Sequence, residues 1–316
     1  MVALLAAVQA ALWPGVAAAQ NGGDNPEELV LKVVLAQDLA KAALADAVLP
    51  IGGVLGKIGP SGSLADGVHG FGFLSASVGV TGLGFSITDP NYTKTDRVEN
   101  AGTIEGPIGA FYADVEIGLF EGYRTPRTDG LLGMDLLVRV GATVGDQEDL
   151  GERVEVSRLA PIYGVGMRVG LLRGAGLPAV SVAGGWSDFT ERTFKVLGAD
   201  AGTDFEVGLR FRQMGSYFVG EIAHRFGWVV LDAGGGVTWQ RFQAHYDAEV
   251  VYETSPSVKA TTAIAEDVDY HDTMGLAFAG LELGSNRFRV VLEGGAASGE
   301  PYGSLYFRIT PLLGGR

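Results

Sequence analysis

Cysteine is absent from the 316 residues. That removes disulfide scaffolds, thiolate metal sites, cysteine nucleophiles and thioether-anchored lipoproteins from consideration. Histidine is nearly as scarce, with His69, His224, His245 and His271 the full complement. The chain carries no H-E-x-x-H, no P-loop and no G-x-S-x-G, and Gly52 to Lys57 lacks the spacing and the Ser/Thr of a phosphate loop. Positive charge is also in short supply: Lys and Arg number 23 against 37 Asp and Glu, a net charge of −14. Nothing forms the basic stripe that nucleic acid requires. Beyond the N-terminus no apolar run reaches the ~18 residues of a membrane-spanning helix. Yet 47% of the residues are hydrophobic and the mean hydropathy is +0.22. The apolar residues are therefore dispersed rather than blocked. Glycine is the opposite case: its 49 residues are about twice the usual share and follow no collagen period. The length suits one large domain or two small ones.

Residues 3–16 are apolar and are followed by Ala17-Ala18-Ala19 before Gln20. This is the pattern of a secretory hydrophobic region with a small-residue cleavage site, so 1–19 is expected to be a signal peptide. Pro14 and Gly15 interrupt any membrane helix there. Residues 24–49 carry the one strong helical signal. Asp24 or Asn25 can cap, Pro26 suits the first turn, and Glu27 and Glu28 sit at the positive end of the helix dipole. Leu31, Leu35, Leu39 and Ala42 form an apolar stripe, and Pro50 stops it. Residues 51–66 are Gly-rich and irregular. The stretch 20–66 is thus expected as a periplasmic amphipathic helix and linker, either simply docked or acting as a plug or mouth cover.

From about residue 69 the period changes from 3.6 to 2. Met134, Leu136, Val138 and Val140 alternate with Asp135, Leu137, Arg139 and Gly141. Phe205, Val207, Leu209 and Phe211 alternate with Glu206, Gly208, Arg210 and Arg212. Residues 287–294 and 304–310 repeat the pattern, and similar segments run over 69–87, 109–122, 160–172, 177–190, 228–248 and 270–284. Successive side chains of a strand point to opposite faces, so each segment has one apolar and one polar or glycine face. Ten strands result. The stretches 88–108, 146–159, 188–203 and 249–269 read as long polar loops, whereas 173–176 and 284–286 are hairpin chemistry. Residues 123–132 and 213–227 are longer connections on the tight side, the latter read as a short helix rather than an eleventh strand.

The signal segment, the alternating strands of roughly ten residues, and the short turns alternating with long acidic loops resemble bacterial outer-membrane β-barrel proteins. The last strand, Gly303-Ser304-Leu305-Tyr306-Phe307-Arg308-Ile309, is similar to the aromatic final strand of such families, although Thr310 to Arg316 follow it. The resemblance implies an all-β fold, an antiparallel transmembrane β-barrel of about ten strands (ten to twelve) over 67–316. It also implies a place in the bacterial outer membrane, with outer-membrane lipid and the assembly machinery as partners. A secreted β-sandwich is the competing fold. The near absence of charge on the apolar faces weighs against it.

On this strand register the inward acids are Asp114, Glu116, Asp135, Glu206, Asp232, Glu282 and Glu293, and the inward bases are Arg139, Arg168, Arg210, Arg212, Arg287, Arg289 and Arg308. A matched set predicts cross-lumen ion pairs that fill the interior, or a gated path in which a pair opens. A water-filled pore belongs to larger strand numbers. Inward glycines such as Gly164, Gly166 and Gly170 would admit large neighbours. Phe71, Phe73, Phe111, Trp186, Trp228, Trp239 and Tyr302 fit interfacial aromatic belts. One constellation could carry chemistry: His245 and Asp247 with Asp267, Asp269, His271 and Asp272, flanking one outer loop. Such carboxylate–His groups could activate water or hold a metal at the rim, as in ten-stranded outer-membrane proteases, and loop-mediated binding or adhesion is a further alternative. The leading expectation is non-enzymatic: a structural role or limited passage of small or hydrophobic solutes, with no cofactor, metal or nucleic acid assigned. The folded protein should migrate faster on a gel when unheated than when boiled; solubility without detergent after signal removal would contradict the barrel.

Overall fold

The computed structural model describes residues 54, 56–59, 73–89, 102–125, 131–144, 154–156, 159–174, 177–200, 203–255, 258–285 and 287–310. The expected signal peptide and the helix at 24–49 lie outside the described residues. Eleven strands are present: β1 (Leu74–Asp89), β2 (Gly102–Phe120), β3 (Met134–Val144), β4 (Val154–Val156), β5 (Leu159–Gly174), β6 (Leu177–Asp200), β7 (Thr203–Phe226), β8 (Val229–Ser255), β9 (Val258–Gly284), β10 (Phe288–Ala297) and β11 (Glu300–Ile309). All pairings are antiparallel, and neighbours in the wall follow chain order once β4, a three-residue strand lying on β6, is set aside. The pairing of β6 with β7 and of β1 with β11 closes the sheet into a ten-stranded barrel.

Alternation sorts the residues between two solvents. Val78, Phe111, Val140, Leu292 and Phe307 are exposed on the outer surface. Ser77, Tyr112, Arg139, Glu293 and Arg308, one step away in sequence, are buried inside. A soluble protein would not expose so continuous an apolar band. Lipid requires it, and it also requires a sheet with no open edge, because hydrocarbon cannot satisfy backbone N–H and C=O groups. Trp228, Phe226 and Phe288 crowd one end of the band, and Phe111, Trp186 and Trp239 lie toward the other; all are exposed and form the two aromatic belts of such barrels. Tyr302 belongs to neither belt. It is a buried lumen residue, because its strand phase is that of Ser304 and Tyr306.

The end that carries the short connections 175–176, 227–228 and 285–287 also holds the start of β1 and the end of β11. The strands β6–β9 outrun the others at the opposite end, and the longer extensions of such barrels are extracellular, so this is the periplasmic end. Trp228 turns the chain there together with Gly227, whose φ of +65° favours glycine.

Two sequence expectations are corrected. Residues 213–226 are neither helix nor connection: 203–226 is one continuous strand, so the stretch completes the sixth wall strand and the count of ten stands, with only Gly227 left to the turn. Its inward Tyr217, Val219 and Ala223 and its outward Phe218 and Ile222 are all apolar, which erases the hydropathy alternation. The stretches 188–203 and 249–269 are not loops either. β6 and β7 continue to a two-residue connection at 201–202, and β8 and β9 to one at 256–257. β8 and β9 are 27 residues long, whereas β10 and β11 have 10. Ten residues suffice to cross a bilayer, so the four strands continue past the membrane as a paired fin. Beyond the lipid the outer face can carry charge, and the apolar–polar pattern of a membrane strand disappears.

Leu292 is exposed at the middle of the ten-residue β10. Leu292→Arg should destabilise the barrel by about 2–4 kcal/mol, the cost of a charge near the bilayer midplane. Urea unfolding in lipid vesicles reads this, and an unchanged midpoint would deny that this face meets lipid.

Candidate functional site: a lumen closed by its own chain

The interior is built by inward residues of every wall strand. Tyr112 and Tyr306 face each other edge to face at 5.5 Å between ring centroids, and the Arg139 guanidinium lies 3.9 Å above the Tyr112 ring. The hydroxyl groups of Tyr112, Thr81 and Ser304 are linked in one chain, with Thr81 and Ser304 at 2.7 Å. Phe189, Phe242, Ile162 and Met274 are fully buried farther along.

Charged groups occupy the space between these rings. Arg139 donates two hydrogen bonds to Asp114, at 2.6 Å and 2.7 Å, a fork on a neighbouring strand. Arg168 holds Asp135 at 2.8 Å and also Glu116. Glu282 accepts a hydrogen bond from Arg289 at 2.6 Å and forms an ion pair with Arg308 at 2.7 Å. Register explains these pairs: Asp114 stands directly opposite Arg139, and Asp135 opposite Arg168. Forked charge-assisted bonds of this kind offset desolvation that would otherwise expel the charges from the interior.

A segment from outside the wall completes the lumen. Val54 and Gly56–Gly59 are buried within the barrel. Lys57 Nζ donates to Glu293 Oε2 at 2.6 Å and sits 3.7 Å above the centre of the Phe278 ring. Glu293 also accepts from the Tyr302 hydroxyl at 3.0 Å. The amide of Gly59 donates to Asp114 Oδ2 at 3.2 Å, so the carboxylate gripped by Arg139 also grips this segment. Ile58 packs where a side chain on Gly164 would be: a Cβ there would stand 2.7 Å from Ile58 Cδ1. Gly56 lies against Ser187 and Gln240. Strands β2, β3, β5, β6, β8, β9 and β10 thus all touch the four positions 56–59.

The sequence-derived residues divide clearly. Asp114, Glu116, Asp135, Arg139, Arg168, Asp232, Glu282, Arg289, Glu293 and Arg308 are buried in the lumen. Arg210, Arg212 and Arg287 are exposed and stand outside it. Arg212 faces outward because its neighbour in sequence, Gln213, is the buried one, and it forks onto Asp188 at 3.1 Å and 2.5 Å. The side chain of Glu206 lies outside the described residues. Two lumen charges were not legible beforehand: Lys57, in a stretch with no period, and Glu221, in the stretch read as a connection. Glu221 shares its strand phase with the buried Val219 and Ala223 and acts on Arg168. The described lumen therefore holds seven acids (Asp114, Glu116, Asp135, Glu221, Asp232, Glu282, Glu293) and five bases (Lys57, Arg139, Arg168, Arg289, Arg308). That replaces the expected balance of seven with seven.

The His/Asp constellation lies elsewhere. His245 and Asp267 are opposite one another on β8 and β9, with Nδ1 2.7 Å from Oδ1. Arg241 forks onto Asp269 at 3.1 Å and 2.6 Å, and His271 Nε2 stands 3.6 Å from the same carboxylate. The side chain of Asp247 lies outside the described residues. His245, Asp267, Asp269 and His271 are on the outer wall of the fin, because Phe242, one residue from Arg241, is the one buried inside, whereas Asp272, opposite buried Gln240, is in the inward phase and apart from them. The hydrogen bonds from Arg241 hold the Asp269 carboxyl below the ordinary carboxylate range, so it is a poorer proton acceptor than a free carboxylate. No group of three or more His, Asp or Glu residues suited to a metal occurs among the described residues.

No protein-family model matches the chain, and no curated protein matches it. Among solved structures, the translocator domain of autotransporter NalP from Neisseria meningitidis is similar with a TM-score of 0.39 and 11% identity, over 78% of this chain and 90% of that one. The outer membrane protease OmpT from Escherichia coli gives 0.35 and 10%, over 76% and 97%. An outer membrane channel from Pseudomonas putida F1 gives 0.30 and 8%, over 77% and 97%. A translocator, a protease and a channel share one architecture here, and the likeness reaches no further than that. Closure, the lipid-facing band and the charged interior place the chain in the bacterial outer membrane as a β-barrel.

Removing one member of a buried pair strands its partner. Arg139→Ala should cost about 3–5 kcal/mol, read as a lower urea midpoint in detergent micelles. Arg212→Ala, at an exposed pair, should leave the midpoint nearly unchanged; equal losses would deny the lumen its separate role. Asp269 makes a pH prediction. Its folded-state pKa is depressed, so its contribution to stability is present above the unfolded pKa and is lost as pH falls through the folded one. An NMR titration should find its midpoint below that of a free Asp and find it raised in Arg241→Gln.

Proposed function

We propose that this protein is a non-enzymatic outer-membrane barrel whose lumen is kept shut by residues 54–59 and which passes a small or hydrophobic solute when that segment yields. The single observation that carries this reading is Lys57, a buried cation from outside the wall paired with Glu293 on β10. A purely structural filling needs only wall residues, and the wall supplies ion pairs of its own. A tether held through one lysine, one backbone N–H hydrogen bond to Asp114 and the packing of Ile58 against Gly164 is weaker than a wall strand with its full ladder. It is the part of the cross-section that can leave without breaking the barrel. A solute on this path meets tyrosine rings and paired charges, surfaces suited to small amphipathic molecules rather than to bulk ions.

Hydrolysis by the fin residues is the second reading, favoured only by the 2.7 Å His245–Asp267 contact. Its groups stand on a convex outer wall. His245→Ala or His271→Ala in purified protein should leave peptide, ester and lipid turnover at the background rate; a loss of real turnover would reinstate the enzyme.

Planar-bilayer recording separates gating from filling. Wild type should be nearly silent, Lys57→Ala should open intermittently, and deletion of 20–66 should conduct steadily. Silence in all three, with unheated gel migration retained, would sink the transport reading and leave a structural role.

A further inference from the structure

The ion pairs leave one part of the lumen wall without charge. Residues 183–189 of β6, 213–219 of β7 and 236–242 of β8 lie side by side in register, and none of their inward positions holds an ionisable carboxylate or a cation. Three side chains of this block have no exposed surface and keep a hydrogen-bonding atom that no described residue pairs with: Ser187 Oγ, Gln213 Oε1 and Thr238 Oγ1.

The three atoms surround Gln240. Gln213 spends its Nε2 on Gln240 Oε1 at 3.2 Å, which leaves its own Oε1 over. Gly215 stands opposite Ser187 on one side and Gln240 on the other. A Cβ on Gly215 would be 2.7 Å from Gln240 Nε2, so the glutamine lies across that glycine toward β6. Thr238 follows on the same face of β8. The patch is two strand spacings wide and four residues tall, about 10 Å by 13 Å, a footprint for one small molecule.

The lumen segment does not fill it. The residue that lies here is Gly56, on a helical backbone, and a Cβ there would stand 3.4 Å from Ser187 Oγ and 3.5 Å from Gln240 Nε2. Those are ordinary contact distances, so a side chain would fit and the chain supplies none. Phe189 and Phe242 flank Gln213 on the neighbouring strands, both fully buried, and the Tyr217 ring crosses Gly185. Apolar rings around a few convergent polar atoms are the usual lining of a small-molecule site.

We propose, resting on the transport reading for how a solute reaches the lumen, that this patch binds an uncharged, hydroxyl-bearing small molecule. Buried polar atoms left over by the fold are costly unless a partner meets them. An amide oxygen accepts only, whereas the two hydroxyl groups donate or accept. A solute with hydroxyl groups of its own can answer all three; an anion has no proton to give Gln213. A cation would need a carboxylate, and Asp272, opposite Gln240, is part-exposed and accepts from the Thr273 amide at 2.8 Å.

Equilibrium dialysis of full-length protein in detergent micelles against radiolabelled glucose tests the site. Lys57→Ala protein, its lumen segment released, should bind glucose saturably and at least about tenfold more tightly than protonated glucosamine or glucuronate. Adding Ser187→Ala, Gln213→Leu and Thr238→Val should weaken binding by at least about tenfold, the loss of several hydrogen bonds. If that variant loses its unheated gel migration, Thr238→Val alone decides, with an expected loss of about threefold. Lack of saturable glucose binding, equal affinity for either charged analogue, or unchanged affinity after the wall substitutions overturns the site. Bilayer recording judges transport separately: glucose held by a protein that never conducts keeps the site and sinks transport, and conduction without glucose binding does the reverse.

Discussion

A backbone amide in hydrocarbon has no partner but another backbone group, and that constraint organises the whole molecule. It forces the strands to close, through β6 on β7 and β1 on β11. Closure in turn creates an inside from which water is largely squeezed, so the inward half of each strand needs partners of its own. The pairs Asp114–Arg139 and Asp135–Arg168 are cross-strand neighbours held by the same ladder that seals the wall. Ladder and ion pairs are therefore one construction: a shift of register by a single residue would send every one of these charges into lipid.

The segment 54–59 obeys a different economy. It brings no ladder of its own, and it is held by point contacts at Lys57, Ile58 and Gly59. A glycine receives it: Gly164 leaves the volume that Ile58 fills, much as Gly185 leaves room for the Tyr217 ring. Shape and charge thus fix its position within the lumen while leaving the wall's hydrogen bonds independent of its presence. The wall therefore stays sealed toward lipid whether or not this segment is in place.

Strand existence and phase were legible wherever one face met lipid. Val138 and Val140 against Arg139 and Gly141 announce their faces, because lipid and a polar lumen are opposite solvents. Legibility failed where the two solvents became alike. Along 217–223 apolar residues stand on both faces, Tyr217, Val219 and Ala223 inward and Phe218 and Ile222 outward, which hides the strand and the Glu221 within it. Along the fin the outer solvent is water, so Arg212 and Arg210 were assigned to a lumen that they do not line. Tyr302 was assigned to a belt when its phase, shared with Ser304 and Tyr306, puts it inside. Lys57 could not be found by periodicity, since a glycine-rich segment has none; its only signal was a lone cation in an otherwise uncharged stretch.

By itself the sequence determined the class of solution: alternation, ten wall strands and an interior that mixes acids with arginines. These follow from one-dimensional periodicity, which records the side of a sheet a residue faces and nothing about its distance from other residues. Which acid meets which base, how far four strands outrun the membrane, and that residues 54–59 return into the lumen were decided only by the tertiary structure. The reason is physical: shear, closure and strand register bring together groups as far apart in the chain as Lys57 and Glu293, and a contact across 236 residues leaves no trace in local pattern.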